Sequence, residues 1–159
     1  MEKENALKTA LETNFASLVS DVKIARPRRL WATTSVANFK EVINWLNKEQ
    51  GFTHLSTITG VDSGANFEFL YHLANGGLVL TLKVLVPSAN PTAATVTDIF
   101  PGAEDYEREL VDMFGATITG LPPGNRYPLP DGWPEGQYPL RKSWKPADLY
   151  PQEENKCQK

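Results

Sequence analysis

Leu7, Leu11, Phe15 and Leu18 recur at i, i+4, i+8 and i+11, with Ala10 and Val19 beside them and polar residues opposite. That period predicts an amphipathic helix over residues 5–19. The period then drops to two. Val22 and Ile24 alternate with Asp21, Lys23 and Ala25, a short strand that Arg26-Pro27-Arg28-Arg29 interrupts before Leu30 to Thr33 resumes an extended pattern. Ser35 is placed as an N-cap for a second helical stripe of Val36, Phe39, Val42, Ile43 and Leu46, and Gly51 is placed to end it.

From there the pattern reads as strands. Phe52 to Thr59 is rich in β-branched and aromatic residues, and Asp62-Ser63-Gly64-Ala65-Asn66 is a turn cluster. Phe67, Phe69, Tyr71 and Leu73 alternate with Glu68, Leu70 and His72, a strand with one buried face. Asn75-Gly76-Gly77 predicts a hairpin turn into a strand from Leu78 to Val86, closed by Pro87. Thr95, Val96, Thr97 and Ile99 favour a further strand over Ala94 to Ile99. Pro101 then opens a helix in which Ala103, Tyr106, Leu110 and Met113 predict the inward face. The fold class is α+β: N-terminal helices on a mixed, largely antiparallel sheet, then an acidic helix and an extended arm.

The arm departs from all this. From Gly120 onward lie eight of the twelve prolines, two of the four tryptophans and three of the five tyrosines. Such proline density precludes a long helix or a central strand, yet disordered tails are poor in aromatics. The expectation is a core over residues 1–119 and an arm over 120–159 of the same domain, ordered by packing on its own core and on a partner.

Charge narrows the chemistry. A net charge of −3 over 159 residues argues against a nucleic-acid partner. The single cysteine, Cys157, cannot form an internal disulfide. The polar start Met1 to Asn5 lacks the apolar core of a signal peptide, and no apolar run approaches the roughly 20 residues that cross a bilayer. A soluble, cytoplasmic chain is expected, touching a membrane only through a partner. His54 and His72 are far apart and match no zinc or iron–sulfur spacing, so no metal is expected in this chain. There is no Gly-x-Ser-x-Gly elbow and no phosphate loop. Asp62, after a strand, reads as a turn former before it reads as a catalytic carboxylate.

The strongest local signal is acidic. Residues 104–112 hold five acids and one base, a local charge of −4. Glu104, Arg108 and Asp112 form an i, i+4, i+8 ladder in which Arg108 can bridge two carboxylates. Glu107 and Glu109 diverge on the helix and are poorly placed as an acid–base pair. The ladder is either a docking face or a solvated surface. The basic residues Arg126, Arg141, Lys142 and Lys145 on the arm either fold back onto this helix or pair with acids of another subunit. A small enzyme using the acidic-helix carboxylates, or a free-standing adaptor using the arm, are the alternatives to a docking subunit.

Glu107-Arg108-Glu109-x-x-Asp112-Met113-Phe114-Gly115, then Arg126, then Pro139-Leu140-Arg141-Lys142 resembles the signature of the 30 kDa subunit family of respiratory complex I (NADH-quinone oxidoreductase) and its relatives in energy-converting [NiFe] hydrogenases and formate hydrogenlyases. The likeness spans Ser35 to Pro146. Three positions depart from the family pattern: Tyr106 in place of Trp, Leu121-Pro122 in place of His-Pro, and Ser143 in place of an acid. These departures favour a hydrogenase-type or other non-standard branch. The resemblance implies a non-catalytic subunit of the hydrophilic arm of an ion-translocating redox complex, peripheral on the cytoplasmic side of the membrane. It implies docking on a large catalytic subunit, of quinone-site or [NiFe] type, near a small iron–sulfur subunit; it implies no cofactor in this chain, any [NiFe] centre or iron–sulfur cluster belonging to those partners. By position, Glu107, Arg108, Glu109, Asp112, Arg126, Arg141 and Lys142 are the implied subunit-interface residues.

Overall fold

The computed structural model describes residues 2–149. Helix α1 (Glu2–Asn14) leads into a hairpin of β1 (Val19–Arg26) and β2 (Arg29–Ser35), then helix α2 (Phe39–Lys48). A meander follows: β3 (His54–Asp62), β4 (Asn66–Asn75) and β5 (Leu78–Pro87). Strand order is β1-β2-β5-β4-β3, antiparallel except for the central β2–β5 pair. The sheet is therefore mixed and largely antiparallel, as the pattern predicts. Its one parallel pair arises because the chain leaves β2 through α2 and returns to β2's free edge only with β5.

Alternation decides which face is covered. Phe67, Phe69, Tyr71 and Leu73 of β4 are all buried, while Glu68, Leu70 and His72 on the other face are half-buried. Helix α2 packs on the buried face through Phe39 against Tyr71, ring centroids 5.5 Å apart. Phe15, just past α1, packs edge-on against Trp45 of α2 at 5.2 Å. Each such buried apolar side chain stabilises the fold by about 1.5–3 kcal/mol. Glu4 fixes α1 from the other end, its Oε1 accepting the Arg28 N–H of the β1–β2 turn at 2.8 Å.

Several boundaries move. The first helix stops at Asn14 rather than 19, because residues 15–18 turn to start β1. The N-cap position of α2 belongs to Asn38, not Ser35, which ends β2 and instead accepts a hydrogen bond from the Asn38 amide at 3.1 Å. Strand β3 starts at His54, since Phe52 is buried in the core before it. The strand expected over Ala94 to Ile99 is shorter and earlier: β6 (Thr92–Ala94), paired in parallel with β7 (Thr117–Thr119). Thr95 still donates its N–H to the Thr119 carbonyl of β7 at 2.9 Å, while its hydroxyl and the Val96 N–H turn to the acidic helix.

That helix, α3 (Glu104–Phe114), follows a 3₁₀ turn at Pro101–Ala103. After β7 the chain runs without strand or helix until α4 (Pro146–Leu149). Among the described residues, no helix is long and apolar enough to cross a membrane.

Candidate functional site

Helix α3 does not bury the face that hydrophobicity alone selects. Its buried positions are Glu107, Leu110, Asp112 and Phe114, with Ala103 ahead of it, while Tyr106 and Met113 are only partly covered. The helix is rotated because two carboxylates have partners waiting inside. Glu107 is 0% exposed. Its Oε1 accepts the Val96 N–H at 2.7 Å and its Oε2 the Thr95 hydroxyl at 2.5 Å. Thr97 backs this up with its hydroxyl 2.8 Å from Thr95 Oγ1 and its N–H donated to the same oxygen at 3.1 Å. Lys40 of α2 closes the node, donating to the Thr95 carbonyl and to Asp98 at 2.8 and 2.9 Å. Burial pushes the Glu107 carboxyl above its ordinary value, outweighing the hydrogen bonds from Thr95 and Val96 and the charge of Lys40. A raised carboxyl in this helix is what an acid–base enzyme would need. Here it is sealed from solvent, so no substrate reaches it, and direct contact with another subunit is equally closed to it.

The expected Arg108 bridge forms on one side only. Arg108 donates to Glu104 at 2.6 Å and, in place of Asp112, to the Pro122 carbonyl of the arm at 2.7 Å. Asp112, 6% exposed, takes its partners from the arm. Its Oδ1 accepts Arg126 Nε at 3.0 Å and its Oδ2 the Leu129 N–H at 3.2 Å. Arg126 also donates to the Trp133 carbonyl at 2.9 Å. For Arg126, then, the open choice between its own helix and a neighbour goes to its own helix. Glu109 is half-buried and has no hydrogen bond or ion pair among the described residues.

The C-terminus of α3 organises the rest of the arm. Gly115 adopts φ +66°, and its N–H closes the helix onto Leu110 and Val111. The last carbonyls, which a helix leaves without internal donors, are taken by the arm: Met113 by Leu140 N–H at 3.1 Å and Phe114 by Arg141 Nε at 2.7 Å. The Arg141 guanidinium lies over the Tyr138 ring at 4.5 Å. A Cβ on Gly115 would stand 2.5 Å from Tyr138 and 2.8 Å from Arg141, so glycine is needed for close approach as well as for its backbone. Gly60 of β3 is similarly constrained, since a Cβ there would overlap the Phe114 ring.

Asp62 fulfils the turn role and adds another. Its Oδ1 accepts Gly64 N–H and its Oδ2 the Lys142 N–H of the arm, both at 2.8 Å. The Lys142 and Gly64 hydrogen bonds hold its carboxyl below the ordinary value, helped by the charges of Lys142 and Arg141. Within the arm, the Trp133 and Trp144 indoles both donate to Gln137, at 2.9 and 2.7 Å. His72 is a cross-strand residue: its ring nitrogens lie 3.0 Å from Thr81 Oγ1 and 3.4 Å from Thr59 Oγ1. Among the described residues no cluster of His, Cys, Asp or Glu is arranged to hold a metal. Cys157, and with it the end of the arm, lies outside the described residues. Sequence reasoning missed the Glu107 node, the tie from Asp62 to Lys142 and the two close-approach glycines. The Thr95-Val96-Thr97 run was the available signal for the first.

Residues 32–149 match the family model described as the respiratory-chain NADH dehydrogenase 30 kd subunit. The chain is 34% identical over 118 residues to the membrane-bound hydrogenase subunit beta of Pyrococcus furiosus, a match covering 71% of this chain and 68% of that one. It is 31% identical over 139 residues to a subunit of the F(420)H(2) dehydrogenase of Methanosarcina mazei, covering 85% of this chain and 87% of that one. A chain in the solved structure of the membrane-bound sulfane sulfur reductase, an archaeal respiratory membrane complex, superposes with a TM-score of 0.79 at 27% identity, covering 100% of this chain and 97% of that one.

Proposed function

Because the chain belongs to the respiratory-chain NADH dehydrogenase 30 kDa subunit family, we propose that it is a non-catalytic docking subunit of a membrane-bound redox complex, of the hydrogenase or NADH:quinone oxidoreductase kind. Its partners are a large catalytic subunit and a small iron–sulfur subunit. Electrons pass through metal centres held by those partners, to protons or to a quinone, and this chain holds the hydrophilic part of the complex together. It lies peripherally on the cytoplasmic side of the membrane. The departures at Tyr106, Leu121-Pro122 and Ser143 favour a hydrogenase-type or other non-standard branch.

One observation carries this reading. The charges of the motif are engaged in shaping the chain itself: Glu107 with Thr95 and Val96, Asp112 with Arg126 and Leu129, Arg141 with Phe114. Glu107 seats α3 on the core, and Asp112 and Arg141 fix an irregular, proline-rich arm against that helix. A rigid presented surface is what an assembly subunit requires, since ordering a loose segment on binding would cost affinity. Glu109, Lys142 and the outward side of Arg141 remain for the interface. The enzyme alternative loses its best carboxylate to burial. The adaptor alternative is disfavoured because so much of the arm, from Pro122 to Lys142, is engaged with α3 and β3.

Removing the chain from its host tests the proposal. The expected result is loss of the large and iron–sulfur subunits from the membrane fraction, together with their redox activity. Full membrane-bound activity without the chain would contradict it.

A further inference from the structure

Three arginines meet helix α3, and they are not equivalent. Arg108 has Glu104 and Arg126 has Asp112 as carboxylate partners, at 2.6 and 3.0 Å. Arg141 has no carboxylate partner among the described residues. Its Nε–H goes to the Phe114 carbonyl at 2.7 Å. Its planar head lies 4.5 Å from the centre of the Tyr138 ring and 5.3 Å from that of Phe67. One hydrogen bond and two aromatic rings thus hold the guanidinium in place, while its terminal N–H groups find no acceptor among the described residues. A guanidinium fixed in this way is matched to a planar, two-oxygen acceptor.

Arg141 borders a cavity of about 270 Å³, lined also by Asp62, Phe67, Ser88, Lys142 and Ser143. The Lys142 ammonium is likewise without an ion pair among the described residues. Asp62 shares the cavity, but each of its oxygens already accepts a backbone N–H at 2.8 Å. Leu140, 44% exposed, immediately precedes Arg141 in the arm.

We propose that this cavity receives an Asp or Glu side chain from a neighbouring subunit, gripped in two-pronged fashion by Arg141 with Lys142 beside it. The inference rests on the docking role proposed above and names its chemistry. The exposed Leu140 beside Arg141 favours a protein over a free anion, because apolar contacts around a charged pair exclude water from it. The net charge of −3 disfavours an anionic lipid surface as the source.

The test uses the intact complex, purified through a tag on the full chain. Carbodiimide coupling followed by mass spectrometry should join the Lys142 amine to an Asp or Glu of another subunit. Arg141→Lys keeps the charge but loses the fork, and Lys142→Gln removes a side chain with no internal ion pair. Each should lower recovery of partner subunits, Arg141→Lys by about thirtyfold, equivalent to about 2 kcal/mol. Thermal melting of the isolated full-length variants separates lost docking from lost folding, and Lys142→Gln should melt as the parent does. If the parent recovers its partners, unchanged recovery by both variants, with Lys142 coupled only within its own chain, overturns the inference and leaves the docking role standing. Arg141-dependent binding of the chain to phosphatidylglycerol vesicles, without a coupled partner carboxylate, overturns it in favour of lipid. A parent chain that recovers no partner overturns the docking role itself.

Discussion

Glu107 is the residue on which sequence and structure differ most. Hydrophobic periodicity assigns carboxylates to the outside of a helix, and it has no way to see that Val96 N–H and the Thr95 hydroxyl are aimed at this one. The consequence is measurable. In the folded chain Glu107 binds its proton more tightly than in the unfolded chain, where the ordinary value is 4.5. Its contribution to stability is therefore fully present below that value and is lost as pH rises through the raised one. Asp62 has the opposite sign: its contribution is present above the ordinary 3.8 and is lost as pH falls through the lowered value. Denaturant titrations across pH should show Glu107→Gln flattening the decline toward neutral pH and Asp62→Asn flattening the decline toward acid. Glu107→Ala leaves the buried Val96 N–H without its acceptor, while the Thr95 hydroxyl keeps Thr97 within reach, and should cost about 1–3 kcal/mol. Parental stability in Glu107→Ala would mean that the node contributes nothing.

At the scale of elements, the sheet was legible and the arm was not. Alternation at Phe67, Phe69, Tyr71 and Leu73 sets the buried face of β4 because a strand has only two faces to choose between. Asn75-Gly76-Gly77 sets the β4–β5 hairpin for a similarly local reason. The parallel pair of the five-stranded sheet, β2 with β5, depends on how distant segments assemble, which a local pattern does not encode. The arm has no period at all; its path follows from point contacts with α3 and β3 that are 14 to 80 residues apart in sequence. Those contacts predict two outcomes. Gly115→Ala should melt earlier than the parent by an amount equivalent to about 1–3 kcal/mol, since both backbone and neighbouring side chains resist it; an unchanged melting temperature would show that Tyr138 and Arg141 move aside freely. A double-mutant cycle on Asp112 and Arg126 should give a coupling of about 0.5–3 kcal/mol, with Trp133 fluorescence reporting release of the arm. Zero coupling would mean that this pair is decorative and that the arm is held elsewhere.

For the whole molecule, the candidate site was half legible. Asp112, Arg126, Arg141 and Lys142 were picked out from sequence through the resemblance, and the structure brings all four around the C-terminal half of α3 and the end of β3. Physical chemistry of the sequence left open whether the arm's charges face inward or outward. The structure divides them: Arg126 faces inward to Asp112, while Arg141 is fixed by its Nε and its aromatic neighbours with its terminal nitrogens free of protein acceptors among the described residues. This division gives a braced arm suited to the proposed docking role, in a motif rich in charge at which the only carboxyl raised above its ordinary value among the described residues is sealed away. The decisive measurement is affinity purification of the tagged full chain from detergent-solubilised membranes, with subunit identities and stoichiometry read by native mass spectrometry. The expected result is one copy of this chain bound to one large catalytic subunit and one iron–sulfur subunit, with the metal content residing in those two. Recovery of the chain alone, or with metal bound to it in the absence of partners, would contradict the docking role.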